Sequence, residues 1–276
     1  MKDNRLLLAA ALVLPVTGCN ATPEIIARRS DLSSSGTGEF AGAGGGGQID
    51  GASSGGGGQA GCKPRLEGVV RDFKSADKPG GHPDFESFTG EETLKRMVKS
   101  SLGEDDKPVY AASGPTMYST GPEEFDQWFR DVPGVNRSIK YTIPVDVTAN
   151  DLRIFFDEAF FPIDDDDRSW GNQGEEHNYS FTFELHMTFR YRRGDVFIFG
   201  GDDDIWVFVN RKLAIDQGGI HVPTSSTLDL DKLANRDGLE EGGEYPIDIF
   251  FAERRSPGSQ LMFTTLEYTN CEPIIR

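Results

Sequence analysis

The residues with the clearest chemical potential are three consecutive carboxylates, Asp202, Asp203 and Asp204, which directly precede an apolar run. Like charges this close together repel one another and raise at least one pKa unless a cation or a hydrogen-bond donor compensates. Calcium is the economical compensator, because it prefers several oxygen ligands. The segment therefore predicts a metal-dependent binding site on the rim of a β-sandwich.

These carboxylates need strands to position them, and the surrounding sequence is typical of short strands. Ile205 to Val209 is an apolar run, Asn210-Arg211 reads as a turn, and apolar residues alternate with period two from Phe181 to Phe189. Many short strands separated by turn signals predict an all-β, antiparallel sandwich with one or two short helices. Other predicted strands are Leu66–Phe73, Ile139–Val147, Val196–Phe199, Leu213–Ile215, Ile247–Phe251 and Leu261–Thr265, and predicted helices are Glu91–Lys99 and Pro122–Arg130.

The second predicted helix carries an aromatic stripe of Phe125, Trp128 and Phe129. Aromatic side chains on one helix face favour packing in a core. A carbohydrate-stacking platform is the alternative. His186 lies at a polar position of its alternating strand and is predicted to face solvent or a polar rim, and the four histidines show no paired metal-ligand spacing.

The charge and composition exclude several classes of function. The 276 residues carry a formal net charge of −17 at pH 7, which argues against nucleic acid and against electrostatic docking on anionic membranes. The sequence contains no nucleophile elbow, zinc-protease motif or phosphate loop. Its 45 acidic residues produce carboxylate pairs by chance, so a glycosidase pair is not indicated. We expect a protein that is not an enzyme.

The first residues are typical of an export signal. A short basic segment precedes the apolar run Leu6 to Val16, which is too short to span a bilayer. It ends in Thr17-Gly18-Cys19, typical of a bacterial lipoprotein signal peptide over residues 1–19 with Cys19 lipidated. An ordinary signal peptide is the alternative. Asn20 favours the outer membrane, so we expect a lipid-anchored protein of the bacterial outer membrane and cell surface.

A tether and a folded domain follow. Residues 20–63 are rich in Gly and Ser, a flexible-linker composition. The domain is predicted over residues 64–272. Cys62 and Cys271 lie at its two ends, and in an oxidising compartment an even remainder of cysteines usually pairs. Such a disulfide is worth up to about 4–5 kcal/mol in the loop-entropy model, with two free thiols as the alternative.

Six separated stretches of this domain carry a family resemblance. With these motifs in order, the chain resembles the fibro-slime domain, a branch of the PA14 superfamily. The resemblance implies a PA14-like β-sandwich and a role at cell surfaces. The stretches are His82–Glu86, Trp128–Asn136, Phe160–Asp164, Gly201–Asn210, Gly218–His221 and Ala252–Arg255.

The resemblance also implies a ligand set. PA14 lectins bind calcium through two adjacent aspartates joined by a cis peptide, which fall on Asp202 and Asp203. A ligand asparagine of a later loop falls on Glu253, so an acid replaces it, and carbonyls of residues 255–257 would complete the loop. Asp204 replaces a residue that is often glycine in the family, and Arg254-Arg255 enter the loop as a further departure. We expect Asp204, His221, Arg254 and Arg255 to be the other ligand-binding positions, with a structural hydrogen-bonding role as the alternative for His221.

The function expected is therefore a lipid-anchored display of one calcium-dependent adhesion domain. Its expected partners are polysaccharide or extracellular matrix, with the membrane reached through the lipid anchor alone and no nucleic acid. The alternative is a structural or protein-interaction module of the cell envelope that binds no glycan.

Overall fold

The computed structural model describes residues 66–147, 153–265, 269 and 273–276. Within them the chain forms two antiparallel sheets around a shared core, which confirms the predicted all-β sandwich. In chain order the elements are β1 (Leu66–Phe73), α1 (Pro122–Phe125), β2 (Asn136–Ile143), β3 (Asp146–Val147), β4 (Arg153–Asp157), β5 (Phe181–Arg190), β6 (Val196–Asp202), β7 (Asp204–Val209), β8 (Lys212–Gln217), β9 (Thr224–Asp229), α2 (Leu230–Asp237), β10 (Glu244–Glu253) and β11 (Gln260–Thr265).

The six-stranded sheet has the order β2-β1-β5-β10-β7-β8, and the five-stranded sheet has the order β3-β4-β11-β6-β9. Alternate residues of β5, including Phe183 and Leu185, point into the space between the sheets. They meet Phe199 and Phe263 of the five-stranded sheet in one apolar core. The period-two pattern of the sequence is the pattern of this core.

The outer face of the six-stranded sheet is also buried. Residues 74–135, between β1 and β2, supply an aromatic layer in which Trp128 and Phe129 pack against Trp206 of β7. All three side chains are fully buried, so the aromatic stripe belongs to a core and the stacking-platform alternative is wrong. Only Pro122–Phe125 of the second predicted helix is helical.

This second layer also buries a polar network. His186 lies beside Asp248, with its Nδ1 2.7 Å from the carboxylate, and Lys107 Nζ donates to Glu184 at 2.6 Å. The prediction that His186 faces solvent is therefore wrong, because the layer covers the polar face of β5. Burial opposes ionisation of Glu184, but His186 and the charges of Arg71 and Lys107 outweigh it and hold its pKa at about 2.

The β7–β8 hairpin confirms its predicted turn, since Asn210 and Arg211 both have positive φ, at 48° and 66°. Three elements were not predicted: β4, β9 and α2, whose N-cap Asp229 accepts from the Lys232 amide at 3.0 Å. The helix predicted at Glu91–Lys99 is wrong, since this segment forms turns and a bridge. Neither helix in the described part of the chain has the length and hydropathy needed to cross a bilayer.

Candidate metal centre

Three acids meet where the chain passes from one sheet to the other. Asp202 is the last residue of β6 in the five-stranded sheet, and Asp204 is the first of β7 in the six-stranded sheet, so Asp203 is the crossing point. The peptide bond between Asp202 and Asp203 is cis, as the resemblance implies. Because Ala252 pairs with Asp204, the next step of the antiparallel register brings Glu253 opposite Asp203.

Burial and mutual repulsion disfavour the charged forms of these acids. Glu253 is fully buried and Asp203 is 4% exposed. Burial raises the pKa of Glu253 well above its usual value, and the charges of Asp203 and Asp202 raise it further. Burial likewise raises the pKa of Asp203, and it raises that of Asp202. The three carboxylates therefore form a site that favours protons or a cation.

Backbone amides satisfy the acids only in part. The amide of Gln260 donates to Asp202 at 2.5 Å, and that of Arg254 donates to Asp203 at 3.1 Å. The Arg255 amide donates to Glu253 Oε1 at 3.1 Å. Glu253 Oε2 is buried and makes no hydrogen bond of normal geometry, although the Ser259 hydroxyl lies nearby.

The types of residue in this site favour a calcium ion, but their arrangement does not provide a complete set of ligands. The carboxylates are hard oxygen donors, which calcium prefers, and Glu253 Oε2 is an unsatisfied buried acceptor. As they stand, however, the described residues contain no group of three or more His, Cys, Asp or Glu side chains that could hold a metal ion. The residues fit calcium by type, and backbone carbonyls and a bound ligand would have to complete its coordination.

Beneath the acids lies a buried ion pair. Arg254 Nε donates to Asp204 Oδ2 at 2.6 Å, and both side chains are fully buried. The guanidinium also donates to the Tyr118 carbonyl at 2.7 Å and lies 4.5 Å from the ring centroid of Trp128. Asp204 and Arg254, predicted as ligand-binding residues, thus face each other inside the domain, and this geometry makes them supports of the site.

The Gly218-Gly219 turn closes against the same pair. The amide of Gly219 donates to Asp204 Oδ1 at 2.5 Å. Its φ is +108°, and an added Cβ would lie 2.8 Å from the Leu94 amide nitrogen. Only glycine combines this conformation with so close an approach.

His221 follows this turn and was predicted to bind a ligand, but its ring nitrogens face backbone carbonyls. Its ring is 5% exposed, with Nδ1 2.9 Å from the Val222 carbonyl and Nε2 3.2 Å from the Gln217 carbonyl. Both ring nitrogens are therefore engaged by backbone. The histidine holds the loop beside the acids.

Arg255 differs, because its side chain is 37% exposed at the rim of the site. Its guanidinium lies 3.5 Å from the carboxylate of Glu86, a residue to which sequence reasoning assigned no role. Glu86 also accepts from the Ser256 amide at 2.6 Å and from the Ser256 hydroxyl at 3.1 Å. Glu86 thus fixes the loop after β10. The sequence did contain a signal for Glu86, because this residue is the last of the His82–Glu86 stretch that carries the family resemblance.

The predicted lipidation residue and the predicted disulfide are not part of this geometry. Cys19, Cys62 and Cys271 lie outside the described residues.

Comparison with known proteins supports one domain assignment. Residues 148–275 match the family described as PA14 domain. Protein psiQ of Dictyostelium discoideum is 38% identical over 206 residues, which cover 69% of this chain and 20% of psiQ. Protein psiR of the same organism is 37% identical over 201 residues, covering 68% of this chain and 20% of psiR. The chain thus spans about a fifth of the length of these relatives.

Among solved structures, the PA14 domain of the antifreeze protein MpAFP aligns with a TM-score of 0.27 and 9% identity, over 74% of this chain and 84% of that domain.

We predict that Arg254→Leu lowers the free energy of unfolding by about 3–5 kcal/mol, because it leaves Asp204 buried without its cation. The matched control is Arg255→Leu, the neighbouring residue with an exposed side chain, which should cost less than about 1 kcal/mol. Urea denaturation of both variants measures the difference. Equal, small losses would show that the buried pair does not support the domain.

Proposed function

We propose, from the match of residues 148–275 to the PA14 domain family, that this chain binds polysaccharide or matrix glycan through a calcium ion. The ligands are Asp202, Asp203 and Glu253. The observation that carries the proposal is the convergence of buried, mutually repelling carboxylates, with Glu253 Oε2 unsatisfied. A cation is the partner that this arrangement favours most. We assign the domain a binding role and no catalytic one.

The residues around the ion have separate tasks in this proposal. Calcium supplies positive charge and open coordination positions for sugar hydroxyls. Asp204 and Arg254 hold the two strands that carry the ligands, and Glu86 holds the loop of residues 255–257, whose carbonyls are further ligand candidates. Among the predicted ligand-binding side chains, we assign contact with a sugar to Arg255, whose side chain is 37% exposed.

A structural or protein-interaction module is the second candidate. One observation favours it: in the described ranges no three acidic, His or Cys side chains form a metal group as placed. In that case the backbone amides of Gln260, Arg254 and Arg255 are the acids' functional partners. The acids would then serve only to fasten loops, and no glycan would bind.

The lipid anchor, the tether and the disulfide are also proposals. Cys19 carries lipid, residues 20–63 form a tether, and Cys62 pairs with Cys271. The relatives come from Dictyostelium discoideum and give no support to a bacterial outer membrane. Mass spectrometry of the mature protein should find a lipidated Cys19 at its N-terminus, and a non-reducing peptide map should find the Cys62–Cys271 peptide. An unmodified Cys19, or two alkylatable thiols, would refute the respective proposal.

Calcium at 100 times its dissociation constant should stabilise the wild-type fold by about 2.7 kcal/mol. Glu253→Gln should lose this gain. In chelator the variant should instead exceed wild type at pH 8. Because the pKa of Glu253 is raised in the folded state, this group contributes its full stabilisation below pH 4.5. That stabilisation is lost as the pH rises through the folded-state pKa. Gln does not ionise, so the two proteins should converge at pH 4.

Thermal melts in calcium and in chelator, at both pH values, measure these differences. Identical wild-type melting curves with calcium and with chelator would remove the metal site from the account.

Retention on insoluble glycan should require both calcium and Asp202. We expect wild-type protein to be pulled down by cellulose or another glucan in calcium, with little effect of moderate salt, because a neutral sugar offers no long-range charge. Asp202→Asn and chelator should each abolish retention, whereas Asp165→Asn, at an exposed acid of another loop, should not. Retention that survives chelator and Asp202→Asn would place adhesion elsewhere, and no retention on any glycan would favour the structural module.

A further inference from the structure

A second surface feature lies outside the carboxylate site. An open cleft of about 310 Å³ is lined by Lys74, Lys78, Pro79, Trp170 and Gln173. We call it the Trp170 cleft. Two of its five lining residues are basic, in a chain whose net charge is −17. This local excess of positive charge is opposite to the charge of the whole protein.

Two cations are gathered on the tryptophan ring. The Arg137 guanidinium lies 4.6 Å from the ring centroid of Trp170, and Lys74 Nζ lies 5.1 Å from it. In the part of the chain that the structure describes, neither forms an ion pair with a carboxylate: Arg137 donates to two backbone carbonyls, and Lys74 to one. Lys78, in contrast, is paired with Asp77 at 2.8 Å. Cation–π contact thus holds two charges without neutralising them.

The cleft is built on buried anchors. The fully buried Asp72 accepts the Trp170 amide at 2.5 Å and the Asn178 side-chain amide at 2.9 Å. Gln173 accepts from the Ser75 amide at 2.9 Å and donates to the Phe73 carbonyl at 2.9 Å. The ring and the opposite wall are therefore held before any ligand arrives, which reduces the entropy that binding must cost.

The cleft and the carboxylate site lie at the same end of the six-stranded sheet. Asp72 of β1 pairs with Phe181 of β5, and Phe181 pairs in turn with Glu253 of β10. The backbones of Asp72 and Glu253 are therefore two strand spacings apart, roughly 10 Å. One extended ligand can reach both sites.

We propose that the Trp170 cleft binds the carboxylate of an acidic sugar unit, a uronic acid of a polysaccharide. Lys74 contacts the carboxylate from the cleft wall, and the exposed part of Trp170 contacts the sugar ring. Arg137 does not line the cleft, and it adds positive charge from its place on the Trp170 ring. Recognition of an anion rests on Lys74 and Arg137, which form no ion pair in the described residues, although the charge of Arg137 also acts on the buried Asp72. The choice of a saccharide rests on the proposed function, because the cleft neighbours the proposed glycan site.

Tryptophan fluorescence tests this directly in the full chain. The sequence contains three tryptophans, of which Trp128 and Trp206 are fully buried and Trp170 is partly exposed. In chelator, a trimer of galacturonic acid should shield Trp170 from the neutral quencher acrylamide, and its binding should weaken with added salt. Cellotriose, a neutral trimer, should give no such shielding. Equal shielding by both trimers, or by neither, overturns the proposal.

Matched variants locate the effect. Lys74→Gln and Arg137→Gln should each weaken galacturonate binding about fivefold. Lys232→Gln, at a lysine of α2 that is 85% exposed, removes one positive charge elsewhere and should leave binding unchanged. Unchanged binding in both cleft variants overturns the proposal. A loss in Lys232→Gln as large as in Lys74→Gln overturns it as well, because it would assign binding to net charge.

Glu253→Gln separates this inference from the calcium site. Binding of the acidic trimer in chelator should persist in that variant. If the acidic trimer binds in chelator but no glycan is retained in calcium, the proposed function is refuted and the cleft proposal stands. Calcium-dependent retention without shielding of Trp170 would refute the cleft and leave the proposed function.

Discussion

The buried ion pair of Arg254 and Asp204 is the interaction on which the rest of the candidate site depends. Two charges cannot be buried cheaply unless every remaining donor and acceptor finds a partner. Here most partners come from distant segments: the Tyr118 carbonyl, the Trp128 ring and the Gly219 amide. Arg254 Nη2, however, is buried without a hydrogen-bond partner. Five of the six stretches that carry the family resemblance therefore meet around this ion pair, and Phe160–Asp164 is the exception.

Strand geometry turns this pair into a frame for the acids. Successive residues of a strand point to opposite faces of its sheet. Arg254 and Asp204 therefore point into the layer formed by residues 74–135, while their neighbours Glu253 and Asp203 meet at the end of the sandwich. The ends of β7 and β10 thus provide the neutralised pair Asp204 and Arg254 on one face of the sheet. On the other face they provide the carboxylates of Asp203 and Glu253, which are not neutralised. Burial is the main cause that raises the pKa values of Glu253 and Asp203, and repulsion from neighbouring carboxylates raises them further, while the nearby Arg254 is already paired with Asp204.

Much of the sandwich could be predicted from the sequence, because the alternation in β5 and β10 and the apolar run of β7 mark strands of the core. The adjacent acids at residues 202–204 likewise predicted the position of the candidate site. Residues 74–135 could not be placed, since their loops have no period, and the burial of His186 and Asp248 depends on them. For the same reason Arg254 and Asp204 were predicted to contact a ligand. A long-range contact decides whether a charged side chain binds a ligand or pairs with another charge, and the sequence does not show that contact. Strand β9 was missed because its residues are mostly polar.

The central claim is that a calcium ion joins Asp202, Asp203 and Glu253. A crystal structure of the domain grown in calcium tests it most directly. The account predicts one calcium ion bound by oxygens of these three side chains at about 2.3–2.6 Å. Clear density for the loops with no ion between the three carboxylates, at a calcium concentration that saturates other calcium sites, would contradict it.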